Sequence, residues 1–126
     1  MTVTITSNKK YNSAVVHFNA SANVVVAGNT SASNLAILDE TLVSGYIAQA
    51  IWGCDLAGTI QVKRGGALIA VYGGTGSMDY AGTGMPLNVN PTANIDVSFV
   101  GSANCYLYLE VQKTGNFSSN NDYFKV

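Results

Sequence analysis

The stretch Asn94-Ile95-Asp96-Val97-Ser98-Phe99-Val100-Gly101-Ser102-Ala103-Asn104-Cys105-Tyr106-Leu107-Tyr108-Leu109-Glu110-Val111-Gln112-Lys113 decides the fold. Ile95, Val97 and Phe99 alternate with Asp96 and Ser98. After a break at Gly101-Ser102-Ala103-Asn104, Cys105, Leu107, Leu109 and Val111 alternate with Tyr106, Tyr108, Glu110 and Gln112. A period of two sends successive side chains to opposite faces of a strand. The stretch therefore predicts two strands joined as a hairpin, with an aliphatic buried face and a face of Tyr, Glu, Gln, Asp and Ser.

Working outward, the same grammar recurs. Thr2 to Thr6 predicts a short strand or an extended arm, and Ala14 to Phe18 and Val24 to Val26 predict two more strands. Leu35 to Leu42 is compatible with one helical turn or an irregular strand entry, being too short to stand as a helix. In the next strand Val43, Gly45, Ile47, Gln49 and Ile51 share one face, and Ser44, Tyr46, Ala48, Ala50 and Trp52 the other. Both faces are largely apolar, which predicts burial on both sides. Thr59 to Lys63 and Ala67 to Tyr72 flank Arg64-Gly65-Gly66, a tight-turn signature. Ser77 to Tyr80 and Met85 to Val89 predict further strands, the latter at a sheet edge or only partly paired because Pro86 donates no ladder bond. Thr114 to Val126 reads as a polar tail holding Phe117, Tyr123 and Phe124.

Strands at roughly 8–12-residue spacing, with turns between them and no long helical pattern, predict an all-β fold. The expected architecture is an antiparallel β-sandwich of jelly-roll type with extended N- and C-terminal segments. Residues 1–113 would form one domain, with 1–34 as an arm or edge strands and 114–126 as a C-terminal tail. The expected core is Ile47, Ile51, Ile60, Val62, Ile69, Val71, Leu87, Val89, Ile95, Val97, Phe99, Leu107, Leu109 and Val111. Each fully buried member contributes roughly 1.5–3 kcal/mol before ordering entropy is counted.

Composition narrows the function. Of 126 residues 48% are hydrophobic, enough for a core, but only 10% are charged, against roughly 25% in an average soluble domain. The surface is therefore kept in solution by neutral Asn, Ser and Thr, and such surfaces repel one another weakly. A net charge of -1 argues against a nucleic-acid partner, since phosphate binding draws on Lys and Arg. No run approaches the roughly 20 apolar residues of a membrane span. The N-terminal residues lack a basic region followed by an apolar core, so synthesis in a cytoplasm is expected. Cys54 and Cys105 are accordingly expected to be free thiols.

No catalytic set is legible. His17 is the sole histidine, and no nucleophile-elbow pattern accompanies it. It reads as a partly exposed strand residue. Three Cys and His residues fall short of a four-ligand zinc site, and the carboxylates lack calcium-loop spacing. Gly74-Thr75-Gly76 and Gly82-Thr83-Gly84 open no helix and lack the rest of a phosphate-loop signature, which leaves turn chemistry as their reading. No cofactor, no metal and no enzymatic activity are expected. The aromatic polar face is the remaining feature. Tyr106 and Tyr108, joined by Tyr46, Trp52, Tyr72 and Tyr80, suit a protein interface, a second packed sheet or a sugar platform.

Ile47-Ala48-Gln49-Ala50-Ile51-Trp52, Val62-Lys63-Arg64-Gly65, Asp79-Tyr80-Ala81-Gly82-Thr83-Gly84-Met85-Pro86-Leu87 and Thr92-Ala93-Asn94-Ile95 resemble phrases of small β-rich virion proteins of tailed bacteriophages. The likeness covers residues 46–113 and contains no defined site. It implies a capsid-associated decoration protein on the virion exterior, with the major capsid protein as partner and a homo-oligomer, a trimer favoured, as its form. The expected interface residues are Tyr106, Tyr108, Phe117, Tyr123 and Phe124. The alternative is a carbohydrate-binding module of tail-fibre or lectin type.

Overall fold

In the computed structural model the described residues are 3–8, 13–38, 40–80, 90–102 and 104–117. They form nine strands and no helix: β1 Val3–Asn8, β2 Ser13–Phe18, β3 Ala22–Val24, β4 Glu40–Cys54, β5 Thr59–Arg64, β6 Ala67–Gly73, β7 Thr75–Asp79, β8 Ile95–Val100 and β9 Cys105–Phe117. Two antiparallel sheets result, one of order β1-β2-β9-β4-β7 and one of order β3-β8-β5-β6. The pairing is nested. β2 pairs with β9, β3 with β8, β4 with β7 and β5 with β6. From β2 to β9 the strand pairs are thus nested, and successive pairs fall in alternate sheets. Both sheets feed one cluster of buried side chains, including Val16, Phe18, Leu107 and Leu109 from one and Val24, Ile60, Val62 and Ile95 from the other.

The two-residue link between β5 and β6 forms as its glycines demand. Gly65 and Gly66 have φ of 59° and 84°, the positive pair that a primed hairpin turn requires. By contrast, the stretch from Ile95 to Lys113 is not a hairpin. Its alternation is as expected: Ile95, Val97, Leu107, Leu109 and Val111 are buried and Asp96, Tyr106 and Gln112 exposed. Yet β8 pairs with β3 and β5, whereas β9 pairs with β2 and β4. Between β8 and β9 the chain turns a corner from one sheet to the other. Asp55 pins this corner, its carboxylate accepting from Ser102 Oγ at 2.8 Å and Asn104 Nδ2 at 3.2 Å. The hydroxyl first and the amide second hold the Asp55 carboxyl below its ordinary range.

Gly101 makes the corner sterically possible. Its φ is +83°, and a Cβ there would be driven into the carbonyl oxygen of Ala57. Gly101→Ala is expected to destabilise the fold by about 2 kcal/mol, read as a lower urea midpoint with an unchanged m-value. An unchanged midpoint would show that the corner takes another path.

β4 differs from its expected two-faced form. The ladder with β9 shifts between Leu42 and Ser44 and again between Ile47 and Gln49. Each bulge moves the inward phase by one residue. Glu40, Leu42, Gly45, Ile47 and Ala50 are buried, while Thr41, Val43 and Ile51 are exposed. Ile51 therefore leaves the expected core. Val71 does too, because it sits opposite Gln61 on the outer face of its sheet. Ile69 and Phe99 pack against the core only in part, and Leu87 and Val89 lie outside the described residues. The core instead takes Ala14, Val16, Phe18, Val24, Val26, Leu35, Leu42 and Tyr72. Residues 35–38 lead toward β4 without a helix, and β9 extends to Phe117.

Three buried charged side chains, Arg64, Glu40 and Lys113, fix the connections. Arg64 donates through Nε to Ala93 O, through Nη1 to Gly45 O and through Nη2 to both Pro91 O and Ala93 O, at 2.8–3.1 Å. Lys113 Nζ meets Glu40 Oε1 at 2.9 Å and Leu35 O at 3.2 Å, and the same carboxylate oxygen accepts from Ile37 N–H.

Candidate functional site

The outer face of the five-stranded sheet collects side chains in rows set by the ladder. His17 on β2 lies opposite Tyr108 on β9, Tyr108 opposite Ile51 on β4, and Ile51 opposite Ser77 on β7. The next row reads Val15, Glu110, Gln49 and Asp79. On the other side of Tyr108, Tyr106 faces Gly53. Cross-strand neighbours of this kind lie about 4.5–5.5 Å apart at Cβ and interact.

The rings are ordered by one another. His17 stacks on Tyr108 with centroids 4.4 Å apart and planes 8° from parallel. Tyr106 meets Tyr108 edge to face at 6.1 Å and 68°. Both geometries are favoured by the ring quadrupoles. The Tyr106 ring lies over Gly53, where a Cβ would come within 2.7 Å of its Cζ. Glycine here leaves the space that the ring fills. Ile51 and Tyr106 stay exposed, at 42% and 40%, which is unusual for large apolar groups set side by side. Beside Tyr108 an open depression of ≈ 240 Å³ is lined by Val15, Gln49, Ile51, Tyr108 and Glu110. It shares Ile51 and Tyr108 with the floor made by His17 and Tyr106.

Chemically this is an aromatic floor with a rim of one carboxylate, one amide, two phenols and an imidazole. Such groups bind by stacking, apolar contact and hydrogen bonding. His17 spends one ring face on Tyr108, and no nucleophile, base and orienting acid are aligned in the patch. Among the described residues no three His, Cys, Asp or Glu side chains gather into a group that could hold a metal ion.

Of the five expected interface residues, Tyr106 and Tyr108 come together here. Phe117 ends β9 opposite Glu40, a strand distance of roughly 30 Å from Tyr108, so it is not part of this patch. Tyr123 and Phe124 lie outside the described residues. The other aromatics expected on this face divide. Tyr46 lies opposite Gln112, further along the same side of the ladder. Tyr72 and Tyr80 are buried, with hydroxyls 3.0 Å apart. Trp52 stacks on Tyr72 at 4.2 Å and 18° and packs against the core. The second bulge in β4 is the reason, since it turns Trp52 inward and Ile51 outward.

His17 and Ile51 are the site residues that the sequence reading did not assign. The signal for His17 was present: with Ala14, Val16 and Phe18 inward, Val15 and His17 must face out. What was missing was the pairing that sets β2 beside β9. Comparison with protein-family models, curated proteins and solved structures gave no match.

Proposed function

We propose that the chain is a jelly-roll virion structural protein that binds and stabilises an assembled capsid, using the outer face of its five-stranded sheet as the contact surface. The observation that carries the reading is the aromatic and aliphatic patch of Tyr106, Tyr108, His17 and Ile51. Ile51 and Tyr106 stay exposed and His17 and Tyr108 are half-buried, on a protein short of charge. Interface cores are enriched in such aromatics and depleted of charge. The nested pairing, with β2–β9 and β4–β7 in one sheet and β3–β8 and β5–β6 in the other, supports the jelly-roll form, a sandwich used by capsid and lectin domains. Fold alone assigns no function, so the argument rests on the patch. On a shell that repeats its surface many times, modest contacts suffice. Mass action and bridging between neighbours multiply them, and a trimer around a symmetry axis would multiply them again.

The test is co-sedimentation of purified protein with undecorated capsids. Wild type pellets with the shells, and Tyr108→Ala loses about tenfold or more in affinity, the cost of removing a central aromatic anchor. Protein that stays in the supernatant at micromolar concentration would defeat the proposal. A second reading, a carbohydrate-binding module, is favoured by Glu110 and Gln49 beside the Tyr108 ring, the setting in which a sugar face stacks while its hydroxyls are held. Binding to a glycan array, lost in Tyr108→Ala and joined to silence toward capsids, would select it.

A further inference from the structure

Cys54 and Cys105 stand directly opposite each other at the end of the β4–β9 ladder. Their pair is of the non-hydrogen-bonded kind. The Cys54 N–H is turned away from β9 and donates to Gly74 O at 2.7 Å, while the adjoining Asp55 N–H reaches Asn104 O at 3.2 Å. In such pairs the Cα atoms are about 4.5 Å apart and the side chains are at their closest. That spacing lies within the roughly 4.4–6.8 Å range of disulfides. Both thiols are free. Cys54 is partly exposed and packed against the core, and Cys105 is buried over Gly58.

We propose that Cys54 and Cys105 are a modification site, a dithiol that closes to an intramolecular disulfide when the folded protein meets a small-molecule disulfide oxidant. The inference is independent of what the aromatic face binds. The Cys54 thiolate attacks one sulfur of the oxidant and expels one thiolate. Cys105 then attacks the mixed disulfide at Cys54 and expels the second. Two protein thiols become one disulfide, the oxidant takes up two electrons, and the two thiol protons end on the two released thiols. The bond would join β4 where it leaves for β5 to β9 where it arrives from β8. It would therefore staple both crossings between the sheets and close a loop that contains β5 to β8.

The setting also governs the rate. Burial first, and then the neighbouring Cys105, push the Cys54 thiol up to about 12. Attack needs the thiolate, so closure is slow near neutral pH. Below that value it accelerates about tenfold per pH unit, as the thiolate fraction does.

The experiment incubates the full chain with oxidised glutathione across a pH series, quenches with acid and alkylating agent, and records intact mass and a peptide map. The expected result is a monomer lighter by two hydrogens, resistant to alkylation and linked from 54 to 105. Its Tm should rise by on the order of 10 °C over the reduced form. Cys54→Ser, with Cys54→Ala as a second variant should the first fail to fold, shows no such rise. A persistent glutathione adduct, a disulfide-linked dimer, two alkylatable cysteines after full exposure, or a linked monomer with unchanged Tm would each overturn the proposal.

Discussion

Arg64→Met is expected to cost the fold on the order of 3–5 kcal/mol. Arg64 is fully buried at the end of β5. Its four hydrogen bonds reach three carbonyls on two separate segments, Gly45 in β4 and Pro91 and Ala93 ahead of β8. One planar fork therefore ties the five-stranded sheet, the four-stranded sheet and the connection between them. Methionine keeps much of the apolar stem but leaves the three carbonyls without these donors, each at about 1–3 kcal/mol in a buried site. Arg64→Lys separates charge from geometry. A single ammonium cannot span the three acceptors, so lysine should recover less than half of the loss. Burial pushes the guanidinium from 12.5 down to about 10, and the three acceptors favour the charged form in the other direction. Either way it remains protonated across the neutral range. The sign follows: a base whose folded pKa is depressed costs stability while it holds its proton, and that cost is relieved only as the pH rises through the folded pKa. From about pH 5 to 9 the gap between wild type and Arg64→Met should therefore stay constant. Urea unfolding of the three proteins measures it, and a gap below about 1 kcal/mol would refute the role given to the guanidinium.

Arg64 also marks where the sequence stops being legible. An arginine beside Gly65-Gly66 reads as turn surface, because charged side chains are seldom fully buried. Nothing local announces carbonyls of Gly45 and Ala93 waiting for it. The same holds for β4. Its residues Ser44 to Trp52 are apolar enough on both faces to accept either phase, so alternation alone could not reveal two bulges. The link between β8 and β9 was misread for a related reason. Gly-Ser-Ala-Asn suits a hairpin loop and a crossing between sheets equally well, and the choice is made by β2 and β4, which capture β9. What was legible lay within single strands: the inward Leu107, Leu109 and Val111, the outward Tyr106 and Tyr108, and the β5–β6 turn. The candidate site was half visible for this reason. Its tyrosines declare themselves by alternation, whereas His17 and Ile51 arrive beside them through pairing at long range.

Removing either member of the Glu40–Lys113 pair should be far worse than removing both. The two groups meet at 2.9 Å with side chains 1% and 0% exposed, so each was stripped of water on folding. Lys113 stands at an inward position of β9, in phase with Leu109 and Val111, and Glu40 opens β4. Between them they hold the loop before β4, through Leu35 O and Ile37 N–H. Glu40 Oε2 is buried with no hydrogen-bond partner among the described residues, which leaves the desolvation of the carboxylate only partly offset. Lys113→Met would strand that carboxylate, and Glu40→Met would strand the ammonium. Each is expected to cost about 3–5 kcal/mol. The double variant Glu40→Met, Lys113→Met places two flexible apolar chains in the same volume and removes both desolvation penalties. It leaves Leu35 O and Ile37 N–H without these partners, so a residual cost of about 1–2 kcal/mol is expected, smaller than that of either single change. The coupling energy from the four-protein cycle would then be several kcal/mol. Additive losses would mean that water reaches the pair and that the two charges act separately, as ion pairs on a surface do.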